Sequence, residues 1–384
     1  MTLIDLDHAA TTATRREVLE AMWPCLTGEH GNPSSTHALG RRAADALADA
    51  RSRIARLAGV RPAQVVFTSG GTESDNLAVI GLTLAAIARG RDRHILVSAI
   101  EHEAVLESAE YLERWHDVEV TRIPVDADGV VVADAALGAL RPGTALVSVQ
   151  AANNEVGTLQ PLDAVLAAAR AVGALVHSDA VQYAGWYALT GLASLDAVTI
   201  SGHKLGAPKG VGALLLPTGA AIEPLIHGGG QERDRRSGTE NVAGAVGLAV
   251  ALELAEAERA AHPLSALEAQ RDAFIAQVLA TVPGAQLTGH PSRRLPCHAS
   301  FVVPGIGGEP LLVALDDRGI LASSGSACAA GRDEPSPVLL AMGYDADTAR
   351  TAIRFSWGAS TIQESLDTAA RELAESAASL LGLG

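Results

Sequence analysis

Cysteine is scarce in this chain of 384 residues: three stand at positions 25, 297 and 328. Three are too few for a disulfide framework, and the odd number leaves at least one thiol free. A reducing compartment suits such a chain, so a cytoplasmic location is expected. Basic charge is also short. Against 29 Lys and Arg stand 44 Asp and Glu, a net charge of −15 with His neutral. That balance excludes a nucleic-acid groove or an anionic membrane surface as the main partner. Long apolar runs are missing too. The longest mostly apolar stretches, 82–88 and 211–216, fall well short of the roughly 18 residues of a membrane helix. The first ten residues, MTLIDLDHAA, carry acids where a secretory signal would be basic. There is no lipidation motif, low-complexity tract or internal repeat, and no metal site is expected.

Hydrophobic residues make up 48% of the chain and charged residues 19%, the profile of a globular protein with ample core. The length suits two or three domains. Short β-branched runs at 65–69, 94–99, 118–124, 144–150, 175–178, 197–201 and 211–216 alternate with Ala-rich helical stretches. Among these helices are 38–58, stopped by Gly59, a run from Gly70 to about Ala88, 104–115 and 162–172. Thr72 and Asp75 have the spacing of a capping box. Strand and helix in alternation predict an α/β fold: a mostly parallel seven-stranded sheet with helices on both faces, binding its ligand at the carboxyl ends of the strands. After Asn241 the pattern changes to two long helices, 241–261 and 265–281, then a smaller α+β unit. Its strands fall at 298–303 and 351–357, and its helices near 309–317, 335–342 and 361–381. The expected division is a large domain over 15–260 and a small one over 1–14 and 261–384.

Six features could carry chemistry. Lys204, in Ser201-Gly202-His203-Lys204, follows a predicted strand within a glycine-rich turn, a setting suited to a Schiff base. A solvated surface lysine is the plain alternative. Asp179 ends an apolar strand, where a carboxylate could hold a pyridine nitrogen protonated or simply cap a helix. Gly70-Gly71-Thr72 opens a helix, and free N–H groups there would cradle a phosphate, if the turn is more than a turn. His102 could stack on a planar cofactor or move protons, or pair with Glu101 and Glu103. Arg354 alternates with apolar neighbours on a predicted strand and wants a carboxylate, internal or a ligand's. Cys328 lies in a run of small residues, Ser323-Ser324-Gly325-Ser326-Ala327-Cys328-Ala329-Ala330-Gly331, with no apolar pattern around it. An exposed loop is where a reactive thiol belongs. Cys25 and Cys297 read as packing residues.

In order and spacing the set resembles the cysteine desulfurases of the class V, fold-type I pyridoxal 5'-phosphate family. The resemblance runs nearly the whole chain. It rests on Leu6-Asp7-His8-Ala9-Ala10-Thr11-Thr12, Gly31-Asn32-Pro33-Ser34-Ser35, Thr68-Ser69-Gly70-Gly71-Thr72-Glu73-Ser74, Asn153-Asn154-Glu155-Val156-Gly157, Ser201-Gly202-His203-Lys204, Arg236-Ser237-Gly238-Thr239 and the motif ending at Cys328. The long segment between Cys328 and Glu334-Pro335-Ser336 is similar to the group that supplies iron–sulfur assembly. Departures are small: Ala13, Ala207, the Cys297-His298 pair, and the bulky Tyr183 and Trp186.

The resemblance implies roles. Lys204 would bind the cofactor covalently and shuttle the α-proton. Asp179 would pair with the ring nitrogen, Gln182 with the phenolic oxygen, and His102 would stack on the ring. Gly71, Thr72, Ser201 and His203 would hold the phosphate, and Thr239 would reach the phosphate of a partner subunit in a homodimer. Asn154 would touch the cofactor and, with Arg354, the substrate carboxylate. Cys328 would take the sulfur of L-cysteine as a persulfide, releasing alanine, and pass it to an acceptor protein such as an iron–sulfur scaffold. Transfer to tRNA thiolation or DNA phosphorothioation remains open. An aminotransferase or selenocysteine lyase would keep Lys204 and Asp179 without needing Cys328, and a non-catalytic sulfur-trafficking scaffold would need neither.

Overall fold

The structure, a computed structural model, describes residues 3–217, 219–325 and 334–382, with backbone only at Leu137. Its strands in chain order are β1 (Ile4–Asp5), β2 (Val65–Thr68), β3 (His94–Ser98), β4 (Glu119–Ile123), β5 (Leu146–Ser148), β6 (Leu175–Asp179), β7 (Ala197–Ser201), β8 (Gly212–Leu215), β9 (Gln286–Leu287), β10 (His298–Val302), β11 (Ile320–Leu321) and β12 (Ala352–Ser356). Seven of them form one sheet in the order β2-β8-β7-β6-β5-β3-β4. All its pairings are parallel except those of β8, which runs antiparallel to β2 and β7. β3, β6, β7 and β8 are buried along their whole length, apart from half-buried Leu175. Burial on both faces explains why they read as near-continuous apolar runs rather than alternating ones.

The helices follow the apolar spacing. In Ala38–Ala58 the residues Ala43, Leu47, Ala50, Ile54 and Ala58 are buried, three or four apart, so one stripe faces the sheet. That helix stops where Gly59 takes φ of 68°, a left-handed terminator. It packs on Val242–Ala261, whose small side chains are buried through most of its length.

One local expectation is corrected. The helix after β2 begins at Gly71 with Gly70 as its cap, and no side chain caps it. Glu73, not Asp75, reaches back to accept from the Ser69 N–H at 2.8 Å. Two glycines let the helix start before Thr72, so Thr72 sits inside the first turn and Asp75 is carried inward, 1% exposed. The helical run continues to Ala88 through a π-turn at Leu77–Gly81.

The smaller α+β unit holds the sheet β12-β10-β9 over a separate core. Phe274 stands edge-on to Phe301, Phe355 and Trp357 with ring centroids 5.3–6.3 Å away. Leu6 belongs to this core, and β1 pairs in parallel with β11. From there the N-terminal segment crosses to the large sheet. Ala9 N–H donates to Ser356 Oγ, Thr12 N–H and Oγ1 donate to the His203 carbonyl, and Arg15 N–H donates to the Gly206 carbonyl. The helix Arg16–Leu26 then packs on Val242–Ala261. Among the described residues no helix is long and apolar enough to cross a membrane.

Candidate active site

Four adjacent parallel strands, β3, β5, β6 and β7, end on one side of the sheet, and the residues just beyond them line a cleft of about 440 Å³. Ten of the twelve candidates meet there: Gly71, Thr72, His102, Asn154, Asp179, Gln182, Ser201, His203, Lys204 and Arg354. Thr239 does not join them. It is exposed and borders a small recess with Ser69, Arg236 and Asn241. Cys328 lies outside the described residues.

Lys204 follows β7 in a single 3-10 turn. Its Nζ donates to the carbonyls of Ala9 and Ala10 at 2.5 and 2.7 Å, so the N-terminal segment fixes its direction. The same Ala9 carbonyl accepts from Gln182 Nε2 at 3.0 Å. His203 is half-buried, with Nδ1 3.1 Å from Thr11 Oγ1. Burial, then Lys204 and Lys209, push its pKa down to about 4, so the ring is neutral near pH 7. His102 caps the helix Glu103–His116, its Nδ1 accepting from the Ala104 N–H at 3.1 Å.

Asp179 closes β6. One of its oxygens accepts from the Val181 N–H at 2.8 Å. Burial raises its pKa, against the pull of His102, the Val181 amide and Lys204. Two further buried carboxyls share this wall, Asp75 and Glu101. Glu101 Oε1 accepts from the Gln150 N–H at 2.7 Å, while Glu101 Oε2 and Asp75 Oδ1 have no hydrogen-bond partner among the described residues. Burial raises both pKa values well above the ordinary range, and the nearby Asp179 adds to the rise. Three buried carboxyls together cannot all ionise cheaply, so burial, with added repulsion at Asp75 and Glu101, pushes all three toward the protonated form. Beneath them His177 bridges Ser148 Oγ (2.8 Å) and Thr199 Oγ1 (3.1 Å), and burial lowers its pKa to about 3.

Arg354 lies on β12, 1% exposed. Its Nη2 donates to Asp7 at 2.7 Å and its Nη1 to the Asn154 carbonyl at 3.0 Å, while the buried Nε has no partner among the described residues. The internal carboxylate that the sequence left open is therefore Asp7.

The residues fit pyridoxal phosphate. A Cβ built on Gly71 would stand 3.1 Å from Val181 Cγ2 and 3.4 Å from Ser201 Cβ, so a side chain there would fill the cradle at the helix start. Hydroxyl, imidazole and ammonium donors line the same cleft, and the buried carboxyl of Asp179 there would suit a ring nitrogen.

Sequence reasoning missed Asp75 and Glu101 as cleft residues, the grip of the Ala9 and Ala10 carbonyls on Lys204, and Glu155. One signal was available: the chain has just two lysines, Lys204 and Lys209, which narrows any Schiff base to one turn. Of the two described cysteines, Cys297 is buried and Cys25 partly so, and burial raises both thiols' pKa values, the wrong direction for a nucleophile.

Comparison with known proteins agrees with this geometry. The family described as aminotransferase class-V matches residues 4–368. A protein named cysteine desulfurase IscS from Dictyoglomus turgidum is 42% identical over 365 residues, 94% of this chain and 91% of its own. A solved structure titled NifS-like protein superposes with a TM-score of 0.89 at 36% identity, covering 97% of this chain and 99% of its own. Another, titled SspA in complex with cysteine, superposes with a TM-score of 0.80 at 32% identity, covering 94% and 100%.

Proposed function

The chain belongs to the class-V aminotransferase family, and from that premise we propose how its residues divide the work of a pyridoxal-phosphate-dependent cysteine desulfurase. Supporting the division is the convergence of Lys204, Asp179, His102 and the Gly71 cradle in one cleft, just past the ends of β7, β6, β3 and β2. Bound there, the cofactor supplies an electron sink for the charge left at the substrate Cα. Asp179 pairs with the ring nitrogen, His102 covers the ring face, and Gln182 donates to the phenolic oxygen. Gly71, Thr72, Ser201 and neutral His203 hold the phosphate, with Thr11 orienting the His203 ring. Lys204 anchors the cofactor and moves the proton at Cα, its reach set by the Ala9 and Ala10 carbonyls. Asn154 contacts the cofactor, and Arg354 donates to the substrate carboxylate while Asp7 steadies the guanidinium.

Cys328 takes the sulfur. Its thiolate forms the S–S bond, and the S–Cβ bond of L-cysteine breaks with its electron pair passing to the three-carbon fragment. That fragment gains a proton and leaves as alanine. The acceptor of the persulfide sulfur is a protein, and the motif around Cys328 favours an iron–sulfur scaffold. The net charge of −15 disfavours direct delivery to nucleic acid. A homodimer accounts for Thr239, which lies outside its own chain's cleft yet in a motif of the family. The separate cores support a large unit of 15–260 and a small one of 1–14 with 261–384. The test is single-turnover sulfur capture from L-cysteine by wild type and Cys328→Ser. Alanine formation should collapse in the variant; full turnover there would overturn the role of Cys328.

A further inference from the structure

Glu155 belongs to no step described above, yet it is 6% exposed in the wall of the cleft. Its backbone is rigid: Asn153 Oδ1 accepts from the N–H groups of Glu155 and Val156, both at 2.8 Å, and Asn153 Nδ2 donates to the Ile100 carbonyl at 3.1 Å. The carboxylate therefore has a fixed origin beside Asn154. Its Oε2 accepts from Ser336 Oγ at 2.5 Å. Ser336 in turn caps the helix Pro337–Ala341, its Oγ accepting from the Leu339 N–H at 3.1 Å.

Gly325 also lies close to this oxygen. A Cβ built there would stand 3.0 Å from Glu155 Oε2 and 3.5 Å from Ser336 Cβ. Just upstream, Ser323 and Arg354 exchange both backbone hydrogen bonds, at 3.1 and 2.7 Å. So Gly325 and Ser336, far apart from Glu155 in sequence, meet on one buried carboxyl. In the sequence these two residues flank Cys328. Burial raises the pKa of Glu155, against the pull of Ser336 and Arg354, so the group serves as a short hydrogen-bond partner more than as a surface charge.

We propose that Glu155 is a positioning residue for sulfur capture: it holds Ser336 by a hydrogen bond and packs close to Gly325, the described residues on either side of the segment that carries Cys328. This rests on the reading of Cys328 as the sulfur acceptor. The hydrogen bond that Glu155 accepts goes to Ser336 and not to a residue assigned to the cofactor, so its loss should fall mainly on the second half of the reaction.

The experiment separates the halves in the cofactor-loaded enzyme. The first half is read as the change in cofactor absorbance on adding L-cysteine, the second as persulfide on Cys328 with alanine release. Glu155→Ala and Ser336→Ala should keep cofactor content and the absorbance change while persulfide formation slows roughly 10- to 100-fold, the scale of a small misplacement of reacting groups. Glu155→Gln, which still offers an oxygen to Ser336, should restore most of the rate. The proposal is overturned if both alanine variants form persulfide at the wild-type rate, or if Ser336→Ala loses cofactor or the absorbance change along with it. Full turnover by Cys328→Ser would instead sink the reading of Cys328 on which the proposal rests.

Discussion

The two walls of the cleft are built differently. One is the carboxyl edge of the large sheet, where Asp179, Lys204 and His102 follow directly from strand ends and sit among buried carboxyls. The other is assembled from distant pieces of chain: Asp7, Asn154, Glu155, Ser336 and Arg354 meet through side-chain hydrogen bonds. A sheet places its loops at the same edge whatever the loop sequences, whereas an assembled wall exists only while its cross-links hold. The contrast matches two tasks. Proton transfer at one carbon needs groups that do not move, and sulfur handed, as proposed, first to Cys328 and then to another protein would need a wall that separate segments contribute to.

The contrast can be broken from either side. The largest effect is expected at Lys204. Lys204→Ala should lose covalent cofactor and cut alanine formation by roughly 10²–10⁴-fold or more, since general acid–base catalysis alone is worth that much. Borohydride trapping and peptide mapping should place the cofactor on Lys204 and not on Lys209. Asp179→Asn leaves the fold intact but removes the charge facing the ring nitrogen; kcat should fall on the order of 10²-fold, comparable to losing one preorganised electrostatic partner. At Arg354, the substrate-binding part of the assembled wall, the effect should shift from kcat to KM. Arg354→Lys keeps a charge but not the fork, and losing a charge-assisted hydrogen bond worth about 1.5–3 kcal/mol should raise KM for L-cysteine about 10- to 100-fold with a smaller change in kcat.

The smallest effect concerns stability and pH. Buried His177 excludes a proton down to about pH 3, whereas in the unfolded chain it binds one below about 6.5. Across that window the unfolded state binds more protons, so the stability His177 contributes is present above 6.5 and is lost as pH falls. Asp75 and Glu101 push the other way, and Asp75 Oδ1 stands 3.6 Å from His177 Nε2, so wild type and His177→Gln are compared in an Asp75→Asn background as well. Wild type should therefore be the more stable protein at pH 7, by roughly 1–3 kcal/mol of buried hydrogen bonding, and the gap in melting temperature should narrow or invert by pH 4. A gap that widens on acidification would contradict the assignment.

Legibility divides along the same line. The sheet could be read from alternation alone. Ala197–Ser201, Leu162–Val172 and Ala38–Ala58 have the bounds that apolar spacing and glycine stops predict. The candidates at strand ends followed from it, since the carboxyl edge collects whatever comes next. Asp75 was misjudged because the spacing of a capping box is a local cue, and two preceding glycines moved the helix start. The Asp7–Arg354 pair spans 347 residues, and Glu155 meets Ser336 across 181. Pairings of that separation leave no periodic trace: strand alternation singled out Arg354 but not its partner, and motif resemblance alone brought Asn154 into the candidate site.

The division between the walls is tested most directly by adding L-cysteine to cofactor-loaded Cys328→Ser and following absorbance and alanine together. The account predicts that the absorbance change persists at the wild-type rate, that alanine release is lost, and that no sulfur is found on the peptide bearing position 328. Alanine released at the wild-type rate would contradict it.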